Sequence, residues 1–78
     1  MKTAVAVITR SETDVEGEYN YEIRIDVTNG DITSGADGWE ASASTMKEAQ
    51  SQASDLLNDY CGFDEEKIEN GGIKQVLN

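Results

Sequence analysis

Trp39-Glu40-Ala41-Ser42-Ala43-Ser44-Thr45-Met46-Lys47-Glu48-Ala49, continuing to Tyr60, is where the periodicity of the chain changes. Up to Ser44 the residues alternate. Trp39, Ala41 and Ala43 fall on one side and Glu40, Ser42 and Ser44 on the other, the period-two signature of a strand with one wet face. From Met46 the apolar residues recur with the helical period. Met46, Ala49, Ala53, Leu56, Leu57 and Tyr60 form one stripe, and Ser51, Gln52, Ser54, Asp55, Asn58 and Asp59 lie opposite it. Thr45-Met46-Lys47-Glu48 at the switch fits a capping box, with Thr45 as N-cap and Glu48 reaching back. The small residues before it leave room for a helix packed close to a sheet. Gly62 is the expected C′ stop, with Phe63 folding back onto the last turn.

Working outward, residues 19–28 are the clearest strand. Tyr19, Tyr21, Ile23, Ile25 and Val27 alternate with Asn20, Glu22, Arg24, Asp26 and Thr28. This is the pattern of an antiparallel strand with one solvated face. Residues 3–13 form a strand before it, apolar on both faces in its first half, as a central strand is. Residues 14–18 join the two, with Gly17 available for positive φ. Asn29-Gly30 opens a loop from Asp31 to Asp37, and the third strand starts at Gly38. After Gly62, Asp64 to Glu69 reads as a helical turn or an acidic loop, Asn70-Gly71-Gly72 as a turn and Ile73 to Leu77 as a short edge strand.

One domain over residues 1–78 follows, of α+β class. A three- to four-stranded antiparallel sheet carries one helix across one face, in the order β-β-β-α with a short C-terminal β. The expected core is Val5, Val7, Tyr21, Ile23, Ile25, Trp39, Ala41, Met46, Ala49, Ala53, Leu56, Leu57 and Tyr60. Ala4, Ala6 and Ile8 would then form an apolar patch on the open face, suited to a partner or to a homodimer.

Sixteen Asp and Glu against six Lys and Arg give a net charge of −10, and there is no histidine. Such a field repels nucleic acid and anionic membrane and attracts basic surfaces. No apolar run approaches the ~20 residues that span a bilayer, and the apolar N-terminal stretch reads as a first strand rather than a signal peptide. Cys61, the single cysteine, forms no internal disulfide, which fits a reducing compartment. It also lacks a histidine base and sits where a helix dipole disfavours thiolate. Asp14-x-Glu16-x-Glu18 fails the calcium-loop pattern in its glycine and its twelfth position. No phosphate-cradling motif occurs. The expectation is a non-catalytic protein without metal or cofactor.

Glu12, Asp14, Glu16 and Glu18 recur at every second residue. On a continuous strand they would share one face at roughly 6.6 Å spacing, close to two phosphate steps of ~3.4 Å along a nucleic-acid strand. Glu22, Asp26 and Glu40 would extend that surface, with Arg24 pairing across strands. The competing reading is a solvated hairpin tip whose charges keep sheet edges apart. These seven carboxylates are the candidate partner-binding residues. The partner they imply is a basic protein or ribonucleoprotein complex, with no direct nucleic-acid contact.

Two resemblances bear on that partner. Trp39 to Tyr60, a strand running into Thr45-Met46-Lys47-Glu48-Ala49 and an amphipathic helix, is similar to the strand–helix joint of HicB-type antitoxin domains. It lacks that family's Pro- and Gly-containing stretch between strands. By size, charge and organisation the whole chain resembles the phage-encoded anti-CRISPR and other anti-defence inhibitors. This implies a protein of the bacterial cytoplasm during infection that blocks a nucleic-acid groove with Asp and Glu side chains. The antitoxin likeness implies instead an accessory module that neutralises a basic protein.

Overall fold

A computed structural model of the chain describes residues 2–63 and 67–77. Its elements are β1 (Lys2–Glu12), β2 (Tyr19–Asn29), β3 (Ile32–Ala43), α1 (Met46–Phe63) and β4 (Ile68–Val76). They form one four-stranded sheet in the order β3-β2-β1-β4, with α1 packed across one face. The class is α+β, as the sequence implies. β1, β2 and β3 are an antiparallel meander, whereas β4 pairs parallel to β1, so the sheet is mixed. The direction follows from the connection. β3 runs the same way as β1, α1 carries the chain back over the sheet, and β4 sets out in the original direction.

β2 buries Tyr21, Ile23 and Ile25 and exposes Glu22 and Arg24, as its alternation requires. β1 differs from expectation. Ala4 lies opposite Val27, Ala6 opposite Ile25 and Ile8 opposite Ile23. Cross-strand partners share a face, so these three point toward α1, and all are 0% exposed. Val5 and Val7, opposite Asp26 and Arg24, lie on the other face and outside the core cluster. The apolar patch of Ala4, Ala6 and Ile8 on the open face, and the homodimer surface built on it, therefore do not exist. The physical reason is register with β2, which sets the face of a strand that is apolar on both sides. Ala4 and Ala6 meet Ala49 and Ala53 of α1, all fully buried, and small residues on both layers let helix and sheet approach closely. Ile8, Ile23, Ile25 and Leu57 fill the remaining space. Val7 is nonetheless buried on the open face, flanked in register by Arg24 and Lys74, whose long stems suit such cover.

β3 begins earlier than its alternation suggests. Asn29 pairs with Ile32 around a two-residue turn, Gly30-Asp31. Gly30 has φ 66° at the first central position, the type II′ hairpin requirement. Of the residues expected in a loop, Ile32 to Gly35 are paired strand and those after Gly35 form a bulge. Register passes from Asp26 opposite Gly35 to Arg24 opposite Glu40, with Gly38 at φ 82° inside it.

The helix start obeys half of the capping box. The Glu48 N–H donates to Thr45 Oγ1 at 3.2 Å and the Ala49 N–H to the Thr45 carbonyl at 2.9 Å. The Glu48 carboxylate takes a long 3.5 Å contact from the Ser44 hydroxyl rather than returning to Thr45. Gly62 is not a C′ residue; α1 continues through it to Phe63. Phe63 stands edge-on to Trp39 of β3 with centroids 5.5 Å apart, so it reaches the sheet and not the last turn.

Asp64, Glu65 and Glu66 lie outside the described residues. Beyond them, Asn70-Gly71-Gly72 is a bulge within one strand, not a turn before a shorter one. Ala4 lies opposite Asn70 and Ala6 opposite Ile73, with Gly72 at φ 89°. A Cβ on Gly71 would come within 2.7 Å of Thr3 Cγ2 and 2.8 Å of Val5 Cγ2, so only glycine fits there. Asn70 ties the bulge down. Its Oδ1 accepts the Gly72 N–H at 2.9 Å, and its Nδ2 donates to Asn58 Oδ1 of α1 at 3.2 Å.

Candidate functional site

β1 ends at Glu12, and residues 13–18 form a braced loop. The Glu18 N–H donates to the Val15 carbonyl at 3.1 Å, closing a turn in which Gly17, at φ 84°, takes the position that needs positive φ in a type II turn. Thr13 Oγ1 accepts the Val15 N–H at 3.1 Å, and its hydroxyl lies 3.1 Å from the Val15 carbonyl and 3.3 Å from that of Glu18. With one proton to give, it donates to one of these at a time. Asp14, Val15, Glu16 and Glu18 project from this brace, Val15 with 55% of its surface exposed. Glu12 sits at its base opposite Tyr19, whose ring lies 4.3 Å beneath the Arg10 guanidinium.

The ladder spacing is thus not realised. A row at two-residue intervals needs a continuous strand, and the alternation stops at Thr13. Glu12, Asp14, Glu16 and Glu18 are gathered at a hairpin tip, not aligned along an edge. Glu22, Asp26 and Glu40 are elsewhere. They lie on the open face of the sheet, where Glu40 is opposite Arg24 and Glu22 is opposite both Thr9 and Ser42. The Arg24 Nε donates to Asp26 Oδ1 at 3.2 Å, a pair within β2 rather than the cross-strand pairing expected of that arginine. A shallow open depression of about 430 Å³ separates these groups, lined by Thr9, Glu22, Arg24, Glu40 and Ser42.

Further carboxylates lie on every side. Asp31 is in the β2–β3 turn, Asp37 in the β3 bulge, Glu48, Asp55 and Asp59 on α1 and Glu69 on β4. The seven candidate residues therefore divide into a hairpin tip, with Arg10 stacked on Tyr19 at its base, and a face where Arg24 intervenes. Val15 was hidden in the sequence among acidic neighbours. An apolar residue inside a charged turn is the one signal of it; Val15 is the first residue of that turn, ahead of the central Glu16 and Gly17.

Among the described residues no three His, Cys, Asp or Glu are grouped to hold a metal ion. Burial pushes the Cys61 thiol above its ordinary pKa, away from the reactive thiolate. Trp39 packs edge-on to Tyr60 at 5.1 Å as well as to Phe63, so the aromatics join helix to sheet. No described helix is long and apolar enough to cross a membrane. In comparison with known proteins, no family matches the chain, and no curated protein and no solved structure is significantly similar to it.

Proposed function

We propose that the protein is a small acidic inhibitor that binds a basic nucleic-acid-binding surface of a host defence complex, of the anti-CRISPR type, and so blocks its target nucleic acid. The observation that carries this reading is the tip. Four carboxylates fall within residues 12–18 with no cation between them in sequence, on a loop braced by Thr13 and carrying exposed Val15. Like charge clustered on a braced projection steers association with a Lys/Arg-lined groove. The exposed apolar side chain of Val15, at the start of the turn, adds area buried away from water, which slows release. Imitation of phosphates is then a matter of charge presented at a point, not of matched spacing along a strand. The setting is the cytoplasm of an infected bacterium.

The test is competition. Target-DNA binding by a CRISPR surveillance complex, titrated with the protein, is expected to fall as inhibitor is added, and the effect to weaken steeply with salt. Unchanged DNA affinity removes the reading for that complex.

A second reading is an antitoxin-type module that neutralises a basic protein elsewhere than its nucleic-acid groove. It is favoured by the capped Thr45–Ala49 joint and by the spread of carboxylates over both faces. Such a module binds its partner without displacing polynucleotide, and the same titration separates the two.

A further inference from the structure

We propose that β4 is a self-recognition edge, through which two copies of the chain pair antiparallel about a two-fold axis at Gly71-Gly72. This is independent of the proposed inhibitor function.

β4 is a terminal strand of the sheet, so its outer backbone N–H and C=O groups have no strand partner among the described residues. Such an edge is complementary to another strand. The sequence of β4 selects which one. Register with β1 puts Ile68, Asn70, Ile73 and Gln75 on the helix side and Glu69, Lys74 and Val76 on the open side. The bulge shifts the alternation by one, so Glu69 and Lys74 share a face although five positions separate them.

An antiparallel pair centred between Gly71 and Gly72 places Glu69 opposite Lys74 of the second copy, and Lys74 opposite its Glu69. Asn70 falls opposite Ile73 and Ile68 opposite Gln75. Every one of these pairs matches in face, as cross-strand partners must. Glycines without side chains meet at the axis, where two bulged backbones need room. The contact is isologous, and it forms each ion pair twice.

Charge also points to this edge over the other. Both copies carry −10 overall. β4 carries Lys74 against Glu69 and is neutral, with Lys67 just before it, whereas β3 carries Asp37 and Glu40 and no cation. Exposed Ile73 and Val76 lie on the same strand. Antiparallel pairing further sends the two acidic tips to opposite ends of the dimer, where they repel least.

Sedimentation equilibrium from micromolar to millimolar protein is expected to give a mass rising from one chain toward two. Lys74→Glu and Glu69→Lys should each raise the dissociation constant roughly five- to thirtyfold, from two lost pairs and new like-charge contacts. The exchanged variant with both changes should return to near the parent value. Net charge alone predicts otherwise, since Glu69→Lys lowers the repulsion. Both positions are exposed, and circular dichroism checks that each variant is folded. A monomer at all concentrations, a single change that leaves dimerisation intact, or a double variant that fails to recover overturns the proposal.

Discussion

Ile8→Ala and Val5→Ala together test which face of β1 the helix covers. Ile8 is 0% exposed between Ile23 and the helix layer. The substitution removes three buried carbons, worth about 2.4 kcal/mol in transfer at roughly 0.8 kcal/mol each. A residual cavity brings the expected loss to about 2–5 kcal/mol. A core of this size rarely supplies more than ~3–5 kcal/mol in total, so Ile8→Ala leaves the domain near its unfolding threshold at room temperature. Val5 is only half-buried, outside the core cluster and against Gly71. Its truncation should cost about 1 kcal/mol or less. At ~4–8 °C per kcal/mol for a domain of this length, a difference of at least about 1 kcal/mol separates the two melting temperatures by about 4 °C or more, Ile8→Ala the lower. Urea unfolding followed by Trp39 fluorescence reads both stabilities, because Trp39 sits in the helix–sheet contact. Equal losses, or a larger loss at Val5, would refute the face assignment and restore the open-face patch.

Three further outcomes follow from single positions. Gly71→Ala should destabilise, since its Cβ would be 3.0 Å or less from Thr3, Val5 and the Ala4 carbonyl, whereas Gly62→Ala meets nothing within 4 Å on a helix and should be neutral or stabilising by up to ~1 kcal/mol; thermal melts of the two variants check the contrast. Thr45→Ala removes the acceptor for the Glu48 N–H and should cost about 1 kcal/mol by urea unfolding. The Cys61 thiol is raised on folding, so the native state keeps its proton longer than the unfolded chain; its contribution is present below the ordinary thiol pKa and is lost as pH rises past it, and Cys61→Ala should lessen the alkaline fall in stability.

Much of the architecture was legible because several local signals agreed. β2 alternates without a break, and Thr45 stands where the period changes from two to 3.6. The helix-side residues of β2, β3 and α1 could therefore be named in advance. β1 was ambiguous for a physical reason. Apolar on both faces, it carries no preference of its own, and only its register with β2 decides which side meets the helix. Glycines misled in two places. Gly35 to Gly38 and Asn70 to Gly72 have turn composition, yet both are bulges inside strands, because pairing with β2 and with β1 continues past them. Glu12, Asp14, Glu16 and Glu18 form no ladder for the opposite reason, that the strand ends where the alternation continues. Their even spacing assumed that β1 ran on through Asp14, but Thr13 and Gly17 turn the chain there.

The most direct test of the proposed mode of action compares two charge-reversed proteins in one competition assay. In one, Asp14, Glu16 and Glu18 become Lys; in the other, Glu22 and Glu40 do. Displacement of DNA from a complex that the parent inhibits should be lost with the tip variant and largely kept with the face variant. A tip variant that displaces DNA as well as the parent contradicts the account.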